Sequence, residues 1–130
     1  MKIYLDIDGV ILTRNGKLPQ HLKEFLNYII NNHDVYWLTT HCKGDANYTV
    51  SYLSRFLKKE TLDLIKKIKP TTFDILKTEA IDFSSDFLWL DDYLFDSEIA
   101  ELDSHNKRNS WIKVDLKTNP NQLLEVIQKI

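Results

Sequence analysis

Acidic and hydroxyl side chains follow three separate apolar runs of this chain. They are Asp6 and Asp8, Thr39, and Asp91 with Asp92. If each run is a strand of one parallel sheet, the carboxyl ends of the strands meet at one edge and bring these side chains together. Carboxylates crowded in this way repel one another unless a cation lies among them. Hard oxygen ligands of this kind suit Mg²⁺, which also shares the oxygens of phosphate groups.

These residue types predict phosphoryl-transfer chemistry. A carboxylate such as Asp6 can attack phosphorus, and a bound Mg²⁺ screens the approach of the phosphate dianion. Gly9 lets the chain turn, so that Asp8 can serve as general acid and base. Thr39 can donate a hydrogen bond to a phosphoryl oxygen, and Lys77 is the candidate cation that balances the negative charge. The simpler alternatives are a carboxylate pair that caps backbone amides and a lysine on a solvated helix face.

The residues around Thr39 leave alternatives open. Thr40 is the other possible phosphate ligand, although the first polar residue after the apolar run is favoured. His41 is interpreted as a loop residue that lines the site, with an ordinary loop position as the alternative. Cys42 next to a histidine suggests a thiol nucleophile. Adjacent side chains rarely point at each other, so we disfavour that interpretation.

Four short apolar runs are predicted to be buried strands, because polar residues bound each of them. They cover residues 2–7, 35–39, 87–91 and 111–115. The Asn15-Gly16 pair after the first run predicts a small β-hairpin, since both residues tolerate positive φ. Residues 71–83 are ambiguous, and both a short strand near Thr72 and a helix around Lys77 remain open.

Between the strands, apolar residues recur at three- and four-residue steps, which predicts amphipathic helices. These helices run from Pro19 to about Asn32, from a cap at Asp45 to Leu57, over residues 62–68 and 97–102, and beyond Pro120. Strands that alternate with helices predict an α/β fold in one domain, residues 1–130. The expected architecture is a Rossmann-like three-layer sandwich around a mostly parallel sheet.

Composition and net charge limit the classes of protein to which this chain can belong. The chain has 130 residues, of which 43% are hydrophobic and 28% charged, as in ordinary globular domains. Its net charge of −2 argues against a nucleic-acid footprint over the whole surface, but not against a local basic patch. The single Cys42 cannot form an internal disulfide, and no apolar run approaches the ~18 residues that span a membrane. We therefore expect a cytoplasmic protein without a membrane partner.

Taken in order, these motifs resemble those of the haloacid dehalogenase (HAD) superfamily. They are Leu5-Asp6-Ile7-Asp8-Gly9-Val10, Trp37-Leu38-Thr39, Lys77, and Leu90-Asp91-Asp92. The resemblance implies that Asp6 is the phosphorylated nucleophile and Asp8 the acid and base. It also implies that Thr39 and Lys77 hold the phosphoryl group.

The same resemblance implies a Mg²⁺ site made by Asp6, Asp8, Asp91 and Asp92. Of the acidic pair, Asp91 is the favoured direct ligand. The Asn15-Gly16 hairpin resembles the flap that follows the first strand in this family. The implied activity is a Mg²⁺-dependent phosphomonoester hydrolase that works through an aspartyl-phosphate.

The spacing of the motifs leaves little room for the cap domain that many HAD enzymes carry. Only two helices fit between Thr39 and Lys77. Capless relatives often act on large substrates such as phosphorylated protein or nucleic-acid ends, and the pattern also looks like the HAD domain of bacterial RNA-repair proteins. The alternatives are a phosphotransferase and a catalytically silent module that binds a phosphorylated ligand or a protein. Either a monomer or a dimer fits an open site.

Overall fold

The middle of the molecule is a sheet of four strands, each parallel to its neighbours. A computed structural model describes residues 1–130. The strands are β1 (Lys2–Leu5), β2 (Asp34–Trp37), β3 (Phe87–Asp91) and β4 (Trp111–Lys113). Their order is β2-β1-β3-β4, so the first strand of the chain lies inside the sheet. The predicted α/β class is confirmed, and the sheet is parallel throughout, in a form compatible with a Rossmann-like fold.

Five α-helices flank the sheet. They are α1 (Leu22–Asn32), α2 (Ala46–Leu53), α3 (Lys59–Ile65), α4 (Asp96–Ser104) and α5 (Gln122–Lys129). Asp45 caps α2 as predicted, since its side chain accepts a hydrogen bond from the amide of Asn47 at 2.9 Å. Two short 3₁₀ helices complete the set, at Lys77–Ala80 and Arg108–Ser110. None of the helices has both the length and the apolar character needed to cross a membrane.

Alternate residues of the strands enter two different cores. Ile3 and Leu5 of β1 point into the larger core, which α1, α2, α3 and α5 cover. Tyr4 points to the other face and packs in the smaller core with Trp89 of β3 and Leu102 of α4. The larger core contains 21 buried residues and the smaller one seven, so helix cover is much thinner on the second face.

The predicted β-hairpin after β1 is wrong. The carbonyl of Ile7 accepts hydrogen bonds from three successive amides, those of residues 10–12, so the chain curls into a tight loop. All three side chains of residues 10–12 are buried in the larger core, whereas a strand would point them alternately in and out. The Asn15-Gly16 pair still turns the chain, because Gly16 has φ +72° and its amide bonds to the carbonyl of Thr13 at 2.9 Å.

The ambiguous residues 71–83 contain no strand. They are irregular apart from the 3₁₀ helix Lys77–Ala80, which stands where the alternative helix was expected. The side chain of Glu79 organises the segment, because its carboxylate accepts hydrogen bonds from the amides of Asp74, Ile75 and Leu76 at 3.1, 3.0 and 2.7 Å. The Glu79 carboxylate therefore accepts hydrogen bonds from backbone amides that would bond to a neighbouring strand if this segment belonged to the sheet.

Candidate active site

Asp6 and Asp91 lie side by side where two neighbouring strands end. The ladder between β1 and β3 continues past the strand itself, since the amide of Asp6 donates to the carbonyl of Leu90 at 3.1 Å. Alternation along the strands puts both acids on the face of Tyr4 and Trp89, above the smaller core. Asp6 is 8% exposed and Asp91 only 2%. Two buried carboxylates in this position need a positive partner.

The ammonium group of Lys77 supplies that partner. Its Nζ lies 2.6 Å from Oδ2 of Asp91 and 3.3 Å from Oδ2 of Asp6. Burial opposes the charge on the ammonium, but the carboxylates of Asp6 and Asp91 outweigh burial and raise the pKa of Lys77 above its usual value. Lys77 therefore stays protonated between the two acids.

Asp91 uses both of its carboxylate oxygens. Oδ1 accepts hydrogen bonds from the amides of Asp92 and Tyr93 at 2.8 and 3.4 Å, and Oδ2 accepts from Lys77. Burial, with the charge of Asp6 added to it, raises the pKa of Asp91 to about 8 despite the ammonium. One lysine does not balance two buried carboxylates, so this site attracts a further proton or a cation.

Glu98 in the first turn of α4 holds the backbone of Lys77. One of its oxygens accepts the amide of Lys77 at 3.0 Å, and the other accepts the amide of Phe95 at the same distance. Glu98 is 2% exposed and forms no ion pair, so backbone amides at a helix N-terminus stabilise its charge. Glu98 was not predicted from the sequence. The available signal was its position three residues after Phe95, where an acid accepts the free amides of a starting helix.

Asp92 lies against Gly9 and pairs with Arg14. Its Oδ2 is 2.7 Å from Nε and 2.5 Å from Nη2 of Arg14. Gly9 has φ +86°, and a Cβ atom at this position would lie 2.4 Å from the same Oδ2. Only glycine fits there, for both backbone and space. This ion pair was not predicted, because nothing in residue spacing links positions so far apart in the chain.

Three of the predicted metal ligands come together. Asp6, Asp91 and Asp92 each bring one carboxylate oxygen within 4.8 Å of the others. Oxygens around an octahedral Mg²⁺ lie about 3 to 4.2 Å apart, because each is about 2.1 Å from the ion. These three acids are therefore the side chains that could hold such an ion, and Lys77 and Arg14 contact the Oδ2 atoms of Asp91 and Asp92 in its absence. Asp8, the fourth predicted ligand, does not belong to this group.

Asp8 instead faces His41. Its Oδ2 lies 3.0 Å from Nε2 of His41, and the Asp8 side chain is 40% exposed. The His41 ring stacks on Tyr52 of α2, with 4.1 Å between ring centroids and 13° between planes. The structure thus places the two acids of the Asp6-Ile7-Asp8 motif in different surroundings.

Thr39 is completely buried in the loop after β2. Its Oγ1 accepts the amide of His41 at 3.2 Å, and its carbonyl accepts the amide of Cys42 at 3.1 Å. It shares no hydrogen bond with Lys77 or with the acidic side chains, and the alternative residue Thr40 is exposed. The Cys42 thiol is buried in the larger core, which agrees with a structural role.

An open groove leads away from Gly9 and Asp92 across the surface. Its cationic side chains are Arg14, Lys17, Lys113 and Lys117, and its acids are Asp92 and Asp115. The three lysines are exposed and form no ion pair. This groove therefore offers unpaired positive charge beside the acidic cluster.

No protein-family model, curated protein or solved structure matches this chain. The chemistry of the site is therefore inferred from its own side chains. Four carboxylates, from Asp6, Asp8, Asp91 and Asp92, face two cationic groups, from Lys77 and Arg14. When all four acids are ionised, the four carboxylates exceed these two cationic groups by two charges, which is the charge of one divalent cation.

Proposed function

We propose that the chain is a Mg²⁺-dependent phosphomonoester hydrolase of the HAD type, without a cap domain, that forms an aspartyl-phosphate on Asp6. The observation that carries this proposal is the position of Lys77 between Asp6 and Asp91, with an oxygen of Asp92 within 4.8 Å of both acids. Residues from three distant motifs thus meet at the carboxyl edge of a parallel sheet, where α/β proteins bind their ligands.

In the proposed reaction Asp6 is the nucleophile. Its carboxylate attacks phosphorus, the bond from phosphorus to the leaving oxygen breaks, and protonated Asp8 gives its proton to that oxygen. Ionised Asp8 then takes a proton from the water that attacks the same phosphorus. The bond from Asp6 to phosphorus breaks, inorganic phosphate leaves, and both acids return to their starting states. Lys77 stabilises the charge on the phosphoryl oxygens throughout.

The donor set fits a hard divalent cation. Asp6, Asp91 and Asp92 would hold Mg²⁺, because they offer only carboxylate oxygens and together carry more negative charge than Lys77 balances. When bound, the ion supplies electrostatic stabilisation of the phosphoryl oxygens. Since Asp8 is engaged by His41, we assign it the acid–base role alone.

The cationic side chains of the groove favour a large anionic substrate for the proposed hydrolase. Lys17, Lys113 and Lys117 line the same groove as Asp92 of the acidic cluster, and their charges are unpaired. Several unpaired cations suit the phosphodiester backbone of a nucleic-acid end better than a phosphoprotein, whose charge beyond the phosphate varies. A nucleic-acid end is therefore the favoured substrate of the proposed hydrolase, and a phosphoprotein the second.

Phosphate release from a substrate panel tests the proposal. The panel contains an aryl phosphate, sugar phosphates, nucleotides, phosphopeptides, and oligonucleotides with 3′- or 5′-phosphate, each with Mg²⁺ or with EDTA. We expect Mg²⁺-dependent release that Asp6→Asn lowers by a factor of at least ~10³, as expected for loss of a nucleophile. Asp63→Asn, which changes an exposed acid on α3, is the matched control and keeps full activity.

The other outcomes point to the alternative functions. Wild-type activity in Asp6→Asn would overturn the mechanism. Substrate loss without release of inorganic phosphate would indicate a phosphotransferase. No turnover on any substrate, with Mg²⁺ still bound, would indicate a module that only binds a phosphorylated ligand or a partner.

A further inference from the structure

The carboxyl group of Asp8 has one hydrogen-bond partner in the chain, and that partner comes from another strand end. Nε2 of His41 lies 3.0 Å from Oδ2 of Asp8, while Oδ1 has no partner. In the tautomer of His41 that carries its proton on Nε2, the ring donates this hydrogen bond to Oδ2, and the proton of the acid form of Asp8 lies on Oδ1. The contact thus occupies one oxygen and leaves the other free.

His41 is itself held by contacts that do not involve Asp8. Its ring stacks on Tyr52, and its amide donates to Oγ1 of Thr39 at 3.2 Å. Its carbonyl accepts a hydrogen bond from Oγ1 of the fully buried Thr49 at 3.0 Å. Because backbone and ring are both fixed, the imidazole is a rigid reference point for the acid that it contacts.

Stability alone gives little reason for this pair. The His41 and Asp8 side chains are 24% and 40% exposed, and partly exposed ion pairs add little to the free energy of unfolding. A group that must exchange a proton with a leaving oxygen depends far more on placement, since misplacement by an ångström lowers rates sharply. The arrangement is therefore better explained by what Asp8 does than by what it stabilises.

We propose that His41 is a positioning residue for Asp8, an inference that rests on the proposed hydrolase function. Its Nε2–H fixes the plane of the Asp8 carboxyl group through Oδ2, so that Oδ1 is presented to the leaving oxygen. His41 does not touch the substrate and exchanges no proton with it. It acts only through the orientation of Asp8.

Two aryl phosphates separate this role from a structural one. Phenolate is a poor leaving group and needs the proton that Asp8 delivers, whereas 2,4-dinitrophenolate leaves without protonation. For both substrates kcat/KM reports the steps up to cleavage of the bond between phosphorus and the leaving oxygen. A fault in proton delivery therefore lowers kcat/KM for phenyl phosphate selectively.

The decisive variant is His41→Phe, which retains a ring to stack on Tyr52 but removes the hydrogen bond. We expect kcat/KM for phenyl phosphate to fall at least ~10-fold, a part of the ~10²–10⁴-fold that general acid catalysis contributes, while the value for 2,4-dinitrophenyl phosphate stays within about twofold. His41→Gln can reach Asp8 with its amide and should restore most of the loss, unlike the shorter His41→Asn. In an Asp8→Asn background, His41→Phe should add no further loss.

Thermal unfolding of each variant checks that it is folded, and the Gln and Asn pair carries the test if His41→Phe does not fold. Equal falls of kcat/KM for both substrates, or no fall for either, would overturn the positioning role while leaving the hydrolase intact. If the wild-type protein hydrolyses only other substrates of the panel, the same variants are compared on the best of them, where His41→Phe should again lower kcat/KM and His41→Gln restore it. Absence of release from every substrate of the panel, with Mg²⁺ present, would overturn the hydrolase and this inference together.

Discussion

The two faces of the sheet hold their parts of the site in different ways. On the face of the smaller core, Lys77 begins a short 3₁₀ helix in an otherwise irregular segment, which the carboxylates of Glu79 and Glu98 hold. On the face of the larger core, His41 is held by ring packing against Tyr52, which itself packs against that core. Where few helices cover the sheet, hydrogen bonds from backbone amides to carboxylates hold the chain in place of apolar packing.

This difference predicts how stability and chemistry are coupled. A hydrogen bond to a charged acceptor contributes about 1.5–3 kcal/mol, so Glu98 stabilises the fold and places Lys77 at the same time. The aliphatic residues of the larger core act mainly on stability, because many of them are remote from the acids. Damage to the smaller core should therefore reach Lys77, while similar damage to the larger core in α1, away from Tyr52 and His41, should change stability alone.

The largest expected effect comes from replacing Lys77, on the face of the smaller core. Lys77→Met keeps the length of the side chain but removes the only ammonium that contacts both Asp6 and Asp91. We expect kcat for the best phosphate ester to fall about 10²–10³-fold, the usual cost of losing one group that stabilises transition-state charge. Lys66→Met, an exposed site on the other face, is the control. A kcat within threefold of wild type would show that Lys77 is not part of the machinery.

A matched pair of leucines tests the coupling directly. Leu26 of α1 and Leu102 of α4 are both fully buried, one in each core. Each change to alanine should lower the free energy of unfolding by about 3 kcal/mol, as measured by urea denaturation. Below the unfolding transition, Leu102→Ala should also lower kcat, because α4 carries Glu98, whereas Leu26→Ala should not. Equal kcat in the two variants would contradict the proposal that only the smaller core couples stability to catalysis through α4.

The smallest expected effect is the pH dependence of the metal-free protein. The pKa of Asp91 is raised from its ordinary value to about 8 by burial. The folded state therefore binds a proton more tightly than the unfolded chain, and the stabilisation, complete below the unfolded pKa, is lost as pH rises through about 8. In EDTA, the Tm of wild type relative to Asp91→Asn should fall by a few degrees between pH 5 and 9.

Added Mg²⁺ sharpens the same experiment. The ion requires ionised carboxylates, so its effect on Tm should be greater at pH 9 than at pH 5. Asp91→Asn should lose most of that gain. A relative Tm that is flat with pH in EDTA would contradict the raised pKa.

The part of the site that lies on the strands could be predicted from the sequence. Apolar runs before Asp6 and Asp91 mark buried strands, and parallel strands end at one edge, so the two acids were expected to meet. This prediction does not depend on how the loops fold. The α/β class followed from the same runs and from the helices between them.

The parts carried by loops could not be predicted to the same degree. Lys77 was expected from the motif order, but its segment depends on hydrogen bonds that backbone amides donate to the carboxylates of Glu79 and Glu98, which no periodicity reveals. The hairpin prediction relied on Asn15-Gly16, and the burial of residues 10–12 overrode it. The ion pair of Arg14 with Asp92 joins residues from two loops far apart in the chain, so spacing gives no signal for it.

The place of β1 inside the sheet has a consequence for how the molecule assembles. Lys2 of β1 pairs with Asp34 of β2 on one side and with Phe87 of β3 on the other. Pairings so distant in sequence carry a large loop-closure cost and form late in folding. On the ribosome, Asp6 stays apart from its partner Asp91 until β3 has been synthesised. Cation binding that needs Asp6 and Asp91 together thus reports that the central strands have joined.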